Sequence, residues 1–492
     1  MSMLNRVRWP LFLYPVFCLA LLSACTLTPE YNRTEVDALV SQSFVQNRDN
    51  QSLVTATKQV DFKAWWKQFN DPLINDLVDQ ALSHNYDIKL ALANLEEAEA
   101  VLRSTTGDRL PKIDLSLSGN RRHFGVAGPG FSGQRDLVTS YETALAFSWQ
   151  LDLLGRLRSA QNAAVADFQA SAADRDGLLQ TVIANVIRQR VALAIARQRL
   201  HVAEQIVDSR QRTLNTVERR YQRGVINSSA VDVRLARSDL YAALSRVTEF
   251  TLNVDLAQHA LNILLGKPPQ LVSASEQQHL NPLPTFNAKI SGIPAQLLDQ
   301  RPDLQASEFR TIASNERIGV AIANLYPDLV LTGRLSLNEG NLSRLFSLDN
   351  LIASVAGELA TTLFQGGQLR AEVDAAKARL KAQASRYANT VLLAIREVED
   401  ALARNHYLSK RIVEIEQQLK ESRLAESLSQ QRYGRGIETL LTVLEAERRR
   451  QDAEDLMLLV EQQRWDAYID LQLALGGQWL DDSTPNLTQV TQ

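Results

Sequence analysis

Two hydrophobic periods take turns along this chain. From Arg156 to about Arg223, apolar residues fall in helical register, with Leu178, Leu179, Val182, Ile183, Val186, Ile187, Val191 and Ala194 on one face. The residues between them are rich in Ala, Leu, Gln and Arg, all good helix formers. No proline interrupts the run between Gly130 and Lys267, and proline is what breaks a helix interior. The pattern predicts one helix of about 67 residues, about 100 Å long at 1.5 Å per residue, and therefore an elongated fold. It stops at Arg220-Tyr221-Gln222-Arg223-Gly224, where glycine suits a left-handed stop, and a second helix returns over about Ser229 to Leu265. Gln368 to Arg432 repeats the long run, Arg432-Tyr433-Gly434-Arg435-Gly436 repeats the stop, and Thr439 to Leu475 repeats the return. Two antiparallel helical hairpins are predicted.

Between the helices the period drops to two. Ile113, Leu115 and Leu117 alternate with polar residues, and so do Thr143, Leu145, Phe147, Trp149 and Leu151 with theirs. Leu329, Leu331, Gly333, Leu335 and Leu337 do the same, then Val355, Gly357, Leu359 and Leu363. Four strands follow, at about 113–119, 141–151, 329–337 and 353–363. Each has roughly the 9–11 residues of a tilted membrane strand, apolar on one face. A water-soluble sheet packed on helices would alternate in the same way. Four strands cannot close a barrel, and open edges are not tolerated in lipid. Membrane strands here would need several chains to complete one barrel.

The chain is written twice. Asn85-Tyr86-Asp87-Ile88 returns as Arg301-Pro302-Asp303-Leu304, Leu110-Pro111 as Tyr326-Pro327, and Ile263-Leu264-Leu265-Gly266 as Leu473-Ala474-Leu475-Gly476. The offset drifts from 216 to 210 residues, far beyond the roughly 20–50 of a solenoid repeat. The expected organisation is a first repeat over 61–266, a proline-rich linker over 267–292, a second repeat over 293–477 and a loose tail over 478–492. Shorter helices precede the strands: Pro72 to His84 and Tyr86 to about Thr106, then Pro294 to Asp299 and Pro302 to Asn324.

The N-terminus carries Arg6 and Arg8, an apolar stretch from Trp9 to Leu22, and then Leu22-Ser23-Ala24-Cys25. This is the build of a secretory signal over 1–24 with a small-residue cleavage site. Cys25 in that context resembles a bacterial lipobox, which makes it the lipidated first residue of a mature chain whose segment 25–60 is extended; an ordinary signal peptide with an incidental cysteine is the alternative. The only other cysteine, Cys18, leaves with the signal, so no disulfide or thiol metal site is expected. No later segment reaches the ~20 apolar residues of a membrane helix.

Little in the chain points to catalysis. Gly128-Pro129-Gly130-Phe131-Ser132-Gly133 fits G-x-G-x-x-G, but it lies between two strands and contains a proline, so it reads as a barrel loop and not a dinucleotide site. The six histidines are scattered without zinc spacing. A net charge of −3 over 492 residues argues against nucleic acid as a partner. Trp65 and Trp66 read as packing anchors more readily than as a ligand cage. No enzyme, metal or cofactor is expected beyond the covalent lipid on Cys25.

Taken in order, Ala64-Trp65-Trp66-Lys67-Gln68-Phe69 with Asp71-Pro72-Leu73, Asn85-Tyr86-Asp87-Ile88, Leu110-Pro111, Arg301-Pro302-Asp303-Leu304, Tyr326-Pro327 and Phe364-Gln365-Gly366-Gly367 resemble the TolC/OprM outer-membrane factors. With the lipobox, the chain resembles the NodT-like lipoprotein branch, over nearly the whole mature length. The resemblance implies a mainly α fold with transmembrane β: a homotrimer with a 12-stranded barrel in outer-membrane lipid and a periplasmic α-barrel. It implies an exit duct for a tripartite pump, with a periplasmic adaptor and an inner-membrane pump, RND type, as partners. A duct for type I protein secretion would share the fold. A structural coiled-coil lipoprotein would share the helices but would not need the strands.

The same resemblance places a periplasmic gate at the second turn. Aligned on Gly436, Leu441 and Glu445 stand where related chains carry an inward Leu and Asp, and they lie four residues apart on one helix face. Tyr433 matches a latch tyrosine. Glu438 and Thr442 depart from the arginine and aspartate of a tip latch, and Asp232 lies two residues further from Gly224 than expected. Pairing of Glu445 with Arg448 or Arg449 on a solvated face is the plainer reading. Arg223, Gly224, Arg435 and Gly436 are the expected adaptor contacts.

Overall fold

The computed structural model describes residues 27–31, 64–125, 135–225, 228–269 and 301–476. The signal segment, Cys25, the 128–133 loop, the helix expected at Pro294 to Asp299 and the tail lie outside these residues. So does most of the 267–292 linker.

Element order follows the doubled sequence. The first half runs α1 (Pro72–His84), α2 (Tyr86–Gly107), β1 (Lys112–Gly125), β2 (Arg135–Leu151), α3 (Arg156–Gln222) and α4 (Ala230–Leu264). The second runs α5 (Pro302–Ala323), β3 (Asp328–Glu339), β4 (Leu351–Ala360), α6 (Gln368–Gly434) and α7 (Leu440–Ala474). Both long helices have 67 residues and both return helices 35. Two compact units emerge. One comprises the described residues within 1–35, 94–172 and 306–388; the other comprises those within 36–93, 173–305 and 389–492.

The first unit holds one antiparallel sheet in the order β1-β2-β3-β4. Register sorts the alternation onto two faces. Leu115 stands opposite Leu145, Leu145 opposite Leu335, and Leu335 opposite Ala353, so the apolar sets of all four strands share a face. The other face is polar and carries the Glu142–Arg334 ion pair. β1 runs six residues past the expected end. The alternation is lost in Asn120-Arg121-Arg122, yet the backbone there still pairs with β2. β4 stops at Ala360, short of Leu363, because its partner β3 begins at Asp328, just after Pro327, which has no N–H to donate. In the same unit, Thr28 Oγ1 lies 2.8 Å from Ser159 Oγ, and Asn315 Nδ2 donates to the Pro29 carbonyl at 2.7 Å. A Cβ at residue 319 would lie 2.1 Å from Thr28 Oγ1, so only Gly319 lets this segment seat.

The second unit is helical. Its core joins Trp65, Phe69, Ile74 and Val78 to Ile183, Val186 and Ile187 of α3 and to Trp465 and Ile469 of α7. Phe69 centres an aromatic cluster, with ring centroids 4.8 Å from Trp465, 5.5 Å from Tyr468 and 6.0 Å from Trp65. One correction to the sequence reading arises here: a window of α3 is long and apolar enough to span a membrane, but 67% of it is buried. Its apolarity serves helix packing.

The repeated motifs repeat a bond. Asn85 Nδ2 donates to the Leu264 carbonyl at 2.9 Å, and Arg301 Nη1 donates to the Ala474 carbonyl at 3.2 Å. Each satisfies an orphan carbonyl at the end of its own return helix. Asn85 also caps α2 through the Asp87 and Ile88 N–H groups. Arg301 instead forks onto Asp303 and reaches Glu397 at 2.7 Å.

Candidate functional site

Both hairpin turns close by the same backbone device. The Val225 N–H donates to the Arg220 carbonyl at 3.1 Å and the Ile437 N–H to the Arg432 carbonyl at 3.0 Å. This six-to-one bond accompanies a left-handed residue, and Gly224 at φ 61° and Gly436 at φ 76° supply it. Arg223 and Arg435, each just before its glycine, point into solvent. Ser229 caps α4 and Thr439 caps α7. The first turn therefore carries two more residues between its glycine and its cap than the second.

That difference accounts for Asp232. Counted from the caps, Asp232 and Thr442 occupy the same third helical position. Asp232 closes a capping box with Ser229, its Oδ2 accepting from the Ser229 N–H at 2.8 Å. Thr442 donates its hydroxyl to Glu438 Oε1 at 3.0 Å, and its N–H to Thr439 Oγ1 at 3.3 Å. Glu438 also accepts from Arg432 Nε at 3.3 Å. The Thr442 bond, followed by the other local donors, holds the Glu438 carboxyl below the ordinary range.

The two equivalent tyrosines part company. Tyr221 is 48% exposed, while Tyr433 is half-buried and packs with Leu214, Val217 and Leu440. Arg220 places its guanidinium carbon 4.6 Å over the Tyr433 ring and donates Nη1 to the Tyr433 carbonyl at 2.8 Å. Burial pushes the Tyr433 hydroxyl pKa up. Sequence reasoning read Arg220 only as part of the stop motif. The signal that separates the two copies is tertiary, because both carry the same Arg-Tyr pair.

Leu441 is 61% exposed, and Glu445 lies one turn further along the same face. Glu445 accepts from Arg449 Nε at 2.8 Å and from Arg448 Nε and Nη2 at 3.0 and 2.9 Å. Those bonds, Arg449 first, hold its carboxyl below the ordinary glutamate range. The structure thus brings Tyr433 to Arg220, Thr442 to Glu438, and Glu445 to two arginines, and it leaves Leu441 open. Among the described residues, no three His, Cys, Asp or Glu side chains converge as metal ligands. The site can present apolar surface and a carboxylate paired with two arginines. It offers no acid–base or nucleophilic arrangement.

Comparison with known proteins gives a consistent result. The family profile described as "Outer membrane efflux protein" matches residues 77–267 and again 293–477. The chain is 29% identical over 472 residues to the solvent efflux pump outer membrane protein SrpC of Pseudomonas putida, covering 94% of this chain and 98% of that one. It is 28% identical over 465 residues to the cation efflux system protein CusC of Escherichia coli, with the same coverage. Among solved structures, it resembles the Campylobacter jejuni CmeC outer membrane channel at 25% identity and a TM-score of 0.82, covering 94% of this chain and 96% of that one.

Proposed function

This chain belongs to the outer membrane efflux protein family, and from that premise we propose that it is the exit duct of a tripartite efflux pump. The family consists of non-catalytic outer-membrane channels of the TolC/OprM type. The observation that carries the finer reading is the sheet with two unpaired edges. β1 and β4 end the strand order, while Ile113, Leu115, Leu117, Val355 and Leu359 stand exposed. Such edges are not stable in lipid alone. Joining the β4 edge of one copy to the β1 edge of the next closes the ladder, and three copies make a 12-stranded barrel.

In this reading the hairpins form a periplasmic tunnel. Arg223, Gly224, Arg435 and Gly436 meet the adaptor, and an inner-membrane pump of RND type loads the duct. Leu441 and Glu445, repeated by threefold symmetry, form an apolar ring and a carboxylate ring at the gate, with Tyr433 and Thr442 beside them. Carboxylate rings favour cations. Lipid on Cys25 gives a second anchor. One relative's name pairs it with solvent and the other's with cations, which suits a passive duct whose cargo is chosen upstream. The test is co-expression with an adaptor and pump in a strain lacking its own duct, alongside planar-bilayer recording of the purified protein. Restored efflux and discrete conductance steps are expected; absence of both overturns the reading.

A further inference from the structure

Four of the arginines of α3 recur at nearly even intervals: Arg188, Arg199, Arg210 and Arg220. Eleven residues of helix turn about 20° past three full turns and rise about 16 Å, so these side chains share one face. Every one of them reaches the second hairpin. Arg188 pairs with Asp470, which also accepts from Arg404 Nη1 of α6 at 2.8 Å. Arg199 forks onto Asp455, with Nε to Oδ1 at 2.6 Å and Nη2 to Oδ2 at 2.9 Å. Arg210 pairs with Glu447, and Arg220 clasps Tyr433 as described above.

The Arg210–Glu447 rung differs from the rest in being buried, with side chains 7% and 1% exposed. Its contacts extend to two further helices. Glu447 Oε1 accepts from Gln430 Nε2 of α6 at 3.0 Å, and Arg210 Nη1 lies 3.8 Å from Asp239 of α4. One charged cluster therefore ties all four helices of the two hairpins. The run is not a by-product of duplication. The counterpart positions on α6, at the offset that aligns the two 67-residue helices, are Asp400, Arg411, Ser422 and Arg432, which do not repeat it.

We infer that this arginine ladder, and not a latch confined to the turns, holds the gate segment of α7 in its closed position, with Arg210 and Glu447 as positioning residues for the gate. The inference rests on the reading of Leu441 and Glu445 as gate residues. Glu447 is two residues beyond Glu445, so its side chain is turned by about 200° around the helix. Anchoring Glu447 against α3 fixes the rotation of α7, and that rotation leaves Leu441 and Glu445 facing away from the anchored side. A gate built in this way opens when α7 slides or turns relative to α3, and each rung resists that movement.

The test uses the full-length protein in planar bilayers. Glu447→Ala leaves Arg210 buried without its counter-charge. It should shift the closed-to-open equilibrium by roughly 100-fold, about 3 kcal/mol, seen as a raised open fraction with the turn residues intact. Replacing both partners with apolar side chains, Arg210→Met with Glu447→Met, removes the uncompensated charge and should bring the open fraction below that of Glu447→Ala but leave it above wild type, because the rung itself is gone. Arg199→Gln, on a half-exposed rung, should raise it by less, and it serves if Glu447→Ala fails to assemble. A role in stability alone would lower the melting temperature of these variants and leave the open fraction where it was; that result overturns the ladder. A wild-type protein without channel steps would overturn the channel reading, and the ladder with it.

Discussion

Phe69→Ala should loosen the helical unit more than any exposed substitution nearby. Phe69 is 2% exposed and touches the rings of Trp65, Trp465 and Tyr468. Losing the buried ring costs up to about 3 kcal/mol in transfer from water. Its three aromatic contacts add roughly 0.5–1.5 kcal/mol each at most, and the remaining hole relaxes only partly. A total of about 4 kcal/mol is in line with buried Phe→Ala changes. The control is Lys67→Ala on the same short turn, whose side chain is exposed and whose loss should stay within about 0.5 kcal/mol. Urea titration in mild detergent, followed by tryptophan fluorescence, reads the effect directly, because Trp65, Trp66 and Trp465 belong to the same core. If the two variants unfold at the same urea concentration, the aromatic cluster is not the keystone of this unit.

Three further outcomes are expected. Burial raises the pKa of Glu316, against weaker opposing bonds from Asn162 and Thr28, so the folded state holds its proton to higher pH than the unfolded chain. Stability contributed by that proton is present below the ordinary glutamate value and is lost as pH rises through the raised one; Glu316→Gln should flatten this fall in a melting-temperature series across pH, and an unchanged slope would contradict it. Cys25→Ser should abolish labelling by radioactive palmitate, while equal labelling of both proteins would rule out the lipobox. Leu441→Ala with Glu445→Ala should raise single-channel conductance and weaken cation preference. Because Arg449 and Arg448 depress the Glu445 pKa, the wild-type preference should persist below the ordinary glutamate range and fade as pH falls through the depressed value. Unchanged conductance and selectivity would place the constriction elsewhere.

Periodicity made much of the architecture legible. The long helices begin at Arg156 and Gln368, as their patterns require, because helix formers and the absence of proline leave the backbone no competing option. Strand ends were harder to read, because a strand ends where its partner does. β1 continues through Asn120-Arg121-Arg122 on backbone pairing alone, and β4 stops for want of a neighbour at Ala360. At the candidate site, the sequence identified the turns, and Glu445 pairs with Arg448 and Arg449 as the plainer of its two readings has it. The sequence missed what Arg220 does, since Arg220-Tyr221 and Arg432-Tyr433 look alike until one tyrosine packs and the other does not. The ladder arginines recur at intervals of 11, 11 and 10 residues among other arginines of the same helix, so the spacing alone does not single them out. Its meaning depends on Asp455, Glu447 and Asp470 more than 230 residues away, and no local pattern encodes that.

In the proposed duct, the four-stranded sheet becomes a channel only by joining copies of itself. Measuring the mass of the protein, purified in mild detergent, tests this most directly. A single species of three chains is expected, converting to monomer only on unfolding. A stable, folded monomer with its sheet intact would contradict it.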